Sequence, residues 1–245
     1  MTLIMIYHIK SKYTAVGRKE IVMFFYMYLL LVMVEFVLTA NILPSATVPY
    51  TYLTAVHQGL MTATFWTLLL NGFVGFQWTE DGTALSLWII RISAAVMFAL
   101  SFFVSLATFN SWSPFSAASP VVLFGLFFVL HLLMLVVYLV MQVVLVLNTL
   151  DNRWPLGDLF FGTLFFTTGQ VFVMGLSETI CDAAKHYIDG LFFGATFTLL
   201  SVMMVYKYWD SITKDDLEFA IPTNKMIGPG GPGDRDPLMA DQDPY

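Results

Sequence analysis

The sequence predicts an all-α polytopic transmembrane helix bundle, and three observations carry that prediction. Of the 245 residues, 58% are hydrophobic and only 11% charged, whereas a water-soluble domain carries about 25% charged side chains to cover its surface. The apolar residues gather into runs of the length a bilayer requires, about 20 helical residues for a hydrocarbon core about 30 Å thick. Those runs lack the period-two alternation of barrel strands, and an amide left unpaired in lipid costs several kcal/mol, so each run must be helical.

From the amino end, residues 1–9 are apolar but rise only about 14 Å as a helix. They read as the back half of a seventh span, and the chain is expected to be cut at its amino end, with no secretory signal pattern to explain the start. Six complete spans follow at about 21–42, 52–76, 84–109, 121–150, 159–176 and 191–208, so the bundle occupies residues 1–209. Beyond it, residues 210–221 are read as a juxtamembrane segment. There Thr213 and Asp216 resemble a capping box, with Ile212 and Leu217 as its hydrophobic staple, and predict a short helix over Lys214–Ala220 that stops before Pro222. The Gly/Pro run at 228–233 and the acidic end at 234–245 predict disorder over 222–245.

Charge gives the orientation. Ten basic residues, from Lys10 and Lys12 to Arg235, lie on one side of the predicted membrane and only Lys185 on the other. Lys and Arg accumulate on the cytoplasmic side, which predicts a cytosolic carboxyl end and an outside amino end once the first span is complete. The net charge of −6, from 11 basic and 17 acidic residues, offers no basic field for nucleic acid.

Few groups invite chemistry. Glu35 is the one acid well inside a predicted span, with Tyr28, Leu31 and Thr39 on its face, and an intramembrane carboxyl costs about 3 kcal/mol to insert. It reads either as a relay, ligand contact or interhelical bond, or as a protonated or snorkelling acid. His57 and His131 read as neutral imidazoles satisfied between helices, because His8, His57 and His131 sit at depths too different to share a metal. Cys181, near Glu178, Asp182, Lys185 and His186, lacks the orienting group a nucleophile needs, and as the single cysteine it excludes disulfide frameworks. The amides Asn71, Gln77, Gln142, Asn148 and Gln170 and glycines such as Gly72, Gly162, Gly169 and Gly194 read as helix-packing groups. No hydrolase elbow, zincin pair or phosphate loop occurs. Neither a catalytic residue nor a cofactor or metal is expected.

Particular strings then carry more than composition does. KYTAVGRKE at Lys12–Glu20, NGFVGFQ at Asn71–Gln77, YLVMQ at Tyr138–Gln142, NTLDNRWPLG at Asn148–Gly157, DGLFF at Asp189–Phe193 and MVYKYWDSITKDDLEF at Met204–Phe219 stand in colinear order. Through them the chain resembles the fungal chitin synthase export chaperones, multi-pass proteins of the endoplasmic reticulum. The resemblance implies a non-enzymatic escort of chitin synthase toward the cell surface, in support of cell-wall chitin, and a further segment ahead of residue 1. On that footing the bundle would cover the client's polar helix faces within the bilayer. Contacts with the client, or with vesicle coat components, are expected at Arg18, Lys19, Glu35, Arg153, Trp154, Trp209, Asp210, Asp215 and Asp216. A seven-helix small-molecule receptor or transporter using Glu35 is the alternative.

Overall fold

The computed structural model describes residues 1–225 apart from Tyr13, Thr14, Val16, Asn41, Ala46, residues 77–81, 113–114 and 116–119, Asp151, His186 and Tyr187, and gives backbone alone over 214–225. The acidic end at 226–245, and with it most of the segment predicted to be disordered, lies outside the described residues.

Eight helices make up the described secondary structure: α1 Thr2–Ser11, α2 Arg18–Thr39, α3 Val48–Val74, α4 Ala84–Phe109, α5 Val121–Thr149, α6 Pro155–Met174, α7 Ser177–Ala183 and α8 Gly190–Lys225. By length and composition α2, α4, α5, α6 and the Gly190–Thr213 part of α8 suffice to cross a membrane. At 27 residues α3 has the length as well, and its threonines, His57, Gln58 and Asn71 make it more polar than its neighbours. It packs along both α2 and α4. The fold is the expected all-α bundle, with five helices among the described residues long and apolar enough to cross a membrane where six full spans were expected.

The helix ends have local causes. Gly17 precedes α2 at φ +64°, a left-handed conformation that costs glycine nothing, and lets α2 begin at Arg18. Pro49 in the first turn of α3 supplies no N–H where none is needed. The Thr83 side chain accepts from the Ser86 N–H at 3.3 Å and caps α4. Within α5 the backbone is π-helical over Gly125–Leu130, a local over-wide turn of the kind that often marks functional positions.

Burial is inverted relative to a soluble protein. Ile89, Ile92, Val96, Leu100 and Phe103 on α4, and Leu132, Leu133, Val136 and Val140 on α5, face outward. Thr62, Thr67, Ser101, Ser105, His131 and Gln142 are buried. Lipid satisfies the outer methyls, and polar groups must find one another inside. The main apolar core joins Ile9, Phe24, Phe25, Tyr28, Leu68, Met134 and Tyr138, with Val202 and Trp209 arriving from α8.

Close approach uses glycine. A Cβ at Gly59 would stand 2.8 Å from the Phe98 ring and 3.1 Å from its carbonyl, so α3 and α4 touch there. On the far side α6 and α8 run together along their length, and a Cβ at Gly169 would lie 3.0 Å from the Phe197 Cβ.

Two local expectations change. The segment after Trp209 is not a separate capped helix, because α8 runs unbroken to Lys225. Thr213 is buried and its hydroxyl donates to the Trp209 and Asp210 carbonyls at 2.9 and 3.1 Å, turned back along its own helix rather than forward to a cap. The connection predicted around Cys181 contains the short helix α7, and the Cys181–His186 pairing lies outside the described residues.

Candidate functional site

One end of the bundle gathers the basic residues, and it is held by polar contacts that range from half-buried to exposed. Lys12, just past α1, forms an ion pair with Asp210 of α8 and lies 5.9 Å from the centre of the Trp209 ring. Lys207 of α8 pairs with Asp158 of α6 at 3.0 Å. Lys19 Nζ donates to the Gly82 carbonyl at 2.9 Å, and Arg18 Nη1 donates to the Lys10 carbonyl at 3.2 Å.

The predicted contact residues therefore divide. Trp154 is 80% exposed and Arg153 beside it is exposed as well, so both project from the surface. Trp209 is 6% exposed and Asp210 is engaged by Lys12, so these two fasten α8 to the amino end of the chain instead of projecting from it. Lys19 and Arg18 mostly serve their own connections. Asp215 and Asp216 lie on α8, with side chains outside the described residues. Glu35 stands apart from all of them, about 6 Å from the other end of α2, at four residues of 1.5 Å each.

Sequence reasoning missed Glu20 as a separate feature. It is fully buried at the start of α2, where Oε1 accepts from the Gly82 N–H at 2.7 Å and the Ser86 hydroxyl at 3.1 Å, and Oε2 has no partner among the described residues. Its carboxylate pins the α3–α4 connection to α2. The available signal was an acid between Arg18, Lys19 and Phe24 on a face that turns inward one helical turn later. A second missed junction unites three helices: the Tyr208 hydroxyl of α8 donates to Gln142 Oε1 of α5 at 2.8 Å, and Gln142 Nε2 donates to the Gly72 carbonyl of α3 at 3.3 Å.

The two intramembrane histidines have different fates. His131 Nε2 lies 3.0 Å from the Thr62 hydroxyl, which is 2.9 Å from the Ser101 hydroxyl, and its ring stacks on Phe65 at 4.8 Å. His57 departs from the expected satisfied imidazole, for its buried Nε2 has no partner among the described residues. Among those residues no three His, Cys, Asp or Glu side chains converge as metal ligands would.

Between the α1–α5 body and the α6–α8 pair lies a crevice of about 1070 Å³. Its walls are mostly apolar, and Glu35, His57, His131 and the π-helical turn of α5 all border it. On α8 it extends from Leu191 to Tyr208, about 26 Å of helix and so most of the depth of a bilayer core. Tyr28, Leu31 and Glu35 share one wall, as their spacing implied. Such mostly apolar walls with a few polar groups suit the binding of an apolar partner.

Known proteins place this architecture. A profile of the family described as chitin synthase export chaperone matches residues 1–223. The chain is 52% identical over 221 residues to the chitin synthase export chaperone of Aspergillus fumigatus, an alignment covering 90% of this chain and 67% of that protein. It is 53% identical over 223 residues to the one of Gibberella zeae, with 91% and 67% covered. No solved structure matches. The matched residues include all the long helices, Glu20, Gln142 and the residues that border the crevice, and the chain belongs to the chitin synthase export chaperone family.

Proposed function

We propose that this protein is a non-enzymatic membrane chaperone of the endoplasmic reticulum, which assists chitin synthase to leave that compartment and so supports cell-wall chitin. The carrying observation is family membership along nearly all of the transmembrane bundle. The relatives' names favour this role over a receptor or transporter built on Glu35.

The basic end faces the cytosol in this reading, because Lys and Arg favour that side, and α8 then carries the carboxyl end into the cytosol. Arg153 and exposed Trp154 are the docking point there for a cytosolic partner such as a vesicle coat component. The apolar outer belt sits in lipid, which is consistent with Ile92, Val96, Leu133 and Val140 facing outward.

The test is genetic and biochemical. In a filamentous fungus deleted for its own family member, fluorescent chitin synthase should be retained in the endoplasmic reticulum, and expression of this chain should return it to the hyphal surface. Synthase that reaches the surface equally well in the deleted strain would defeat the proposal. A Trp154→Ala, Arg153→Ala pair should slow export while leaving the chain folded and bound to the synthase.

A further inference from the structure

The crevice has an unbalanced chemistry. Of the ionisable groups that border it, Asp158 is paired with Lys207 and His131 with Thr62. The Glu35 carboxyl has no hydrogen-bonded or ionic partner among the described residues, its backbone carbonyl alone accepting from the Thr39 hydroxyl at 2.8 Å, and His57 Nε2 has none either. No lysine or arginine is among the described residues that border it. The wall thus carries a carboxyl on α2 and an imidazole nitrogen on α3 that have no side-chain partner among the described residues.

Its shape narrows the occupant. Spread over about 26 Å of depth, 1070 Å³ gives atom centres a cross-section of about 41 Å², a circle about 7 Å wide. Adding an atomic radius at each side widens this to about 10 Å, the diameter of an α-helix with small side chains. The α6–α8 wall presents Thr163, Ala195, Thr198 and Ser201, residues small enough for a second helix to approach closely. α2 and α8 scarcely pack against each other, and the hydrogen-bonded and ionic ties between the two bodies, Lys12 to Asp210 and Tyr208 to Gln142, lie toward the basic end.

We infer that the crevice receives one transmembrane helix of the client, whose lysine or arginine pairs with Glu35 while a neighbouring polar side chain meets His57. This rests on the chaperone reading for the source of the helix. A basic residue is costly to leave facing lipid before a polytopic protein is assembled, and Glu35, one turn from the end of α2, is placed to hold it. A phospholipid fits less well: its phosphate would meet a carboxylate with no basic residue beside it, and its acyl chains would leave Glu35 and His57 unpaired.

Purified full-length chain in liposomes, carrying a photoreactive phenylalanine analogue at Thr163 or, as an outer-face control, at Val96, tests this with synthetic helices. The probes are leucine/alanine helices of about 20 residues that bear Lys, Leu or Glu at the position level with Glu35. Capture of the Lys helix at position 163 should exceed that of the Leu helix by about threefold to about fifteenfold, the range of polar contacts between membrane helices. Glu35→Gln should remove the preference without changing resistance to SDS unfolding, and Glu35→Lys should transfer it to the Glu helix. If Glu35→Lys fails to fold, the Gln arm decides.

Equal capture of the Lys and Leu helices overturns the inference. So does labelling as strong at position 96 as at 163, or labelling only of lipid or of this chain itself. Retention of chitin synthase in the deleted strain, combined with no Lys preference, rejects the crevice and leaves the export role standing. Free export in the deleted strain rejects the export role whatever the peptides do.

Discussion

Removing the Tyr208 hydroxyl tests how the bundle is held, because that one atom ties α8 to α5 and, through Gln142, to α3. Tyr208 and Gln142 are 3% and 4% exposed, and their hydrogen bond is 2.8 Å long. Tyr208→Phe deletes the donor and strands Gln142 Oε1. In a water-soluble core a stranded acceptor costs about 1–3 kcal/mol. In a bilayer the unfolded helices find other partners, and measured couplings average about 0.6 with a maximum near 1.7 kcal/mol. The bilayer reference applies here, and burial among three helices places the expected loss toward its upper end, about 1–1.7 kcal/mol. Gln142→Leu strands two groups, the Tyr208 hydroxyl and the Gly72 carbonyl, and on the same bilayer scale should cost about 2–3 kcal/mol. The double variant should fall short of the summed single losses by about 1 kcal/mol, because neither change then leaves the other partner waiting. SDS titration in mixed micelles, followed by tryptophan fluorescence and circular dichroism, measures all four proteins. Strict additivity would refute the three-helix junction.

Three further outcomes follow from the same structure. Lys12→Glu should lower stability by about 1 kcal/mol, since the pair with Asp210 is partly exposed, and adding Asp210→Lys should recover most of that loss in the same titration. Glu20→Ala strands the Gly82 N–H and Ser86 hydroxyl at about 1–3 kcal/mol, and limited proteolysis should cut the α3–α4 connection faster; an unchanged cleavage rate would count against the clamp. Gly59→Val drives its Cβ into Phe98 at 2.8 Å and should destabilise by about 1–3 kcal/mol, whereas Gly157→Ala, with open space around it, should be neutral or slightly stabilising when both are followed by detergent thermal denaturation.

The bundle was legible in the sequence because insertion into lipid is a property of each segment alone. A run such as 84–109 crosses on its own hydropathy, and its ends fall where charge, Pro, Gly or Asn interrupts the run, so the helices α4 and α5 begin where the apolar stretches do. Glu35 was legible for the same reason, as a single costly residue in a single span, and helical spacing put Tyr28 and Leu31 on the wall it shares.

Which groups meet was not legible. His57 and His131 look alike in sequence, yet one is satisfied by Thr62 and Phe65 from another helix and the other is left open to the crevice. Trp209 and Asp210 read as surface groups beyond the last span, and the return of Lys12 from 198 residues away made them a fastening. Glu20 read as part of a charged loop and became a buried clamp because Gly82 and Ser86 come to it. Lipid is as apolar as a leucine side chain, so hydrophobicity does not mark which face of a membrane helix turns inward. The apolar runs of the sequence therefore determined that this chain is a bundle of apolar helices of membrane-crossing length, and packing between distant helices decided which polar atoms pair among the described residues and where the crevice lies.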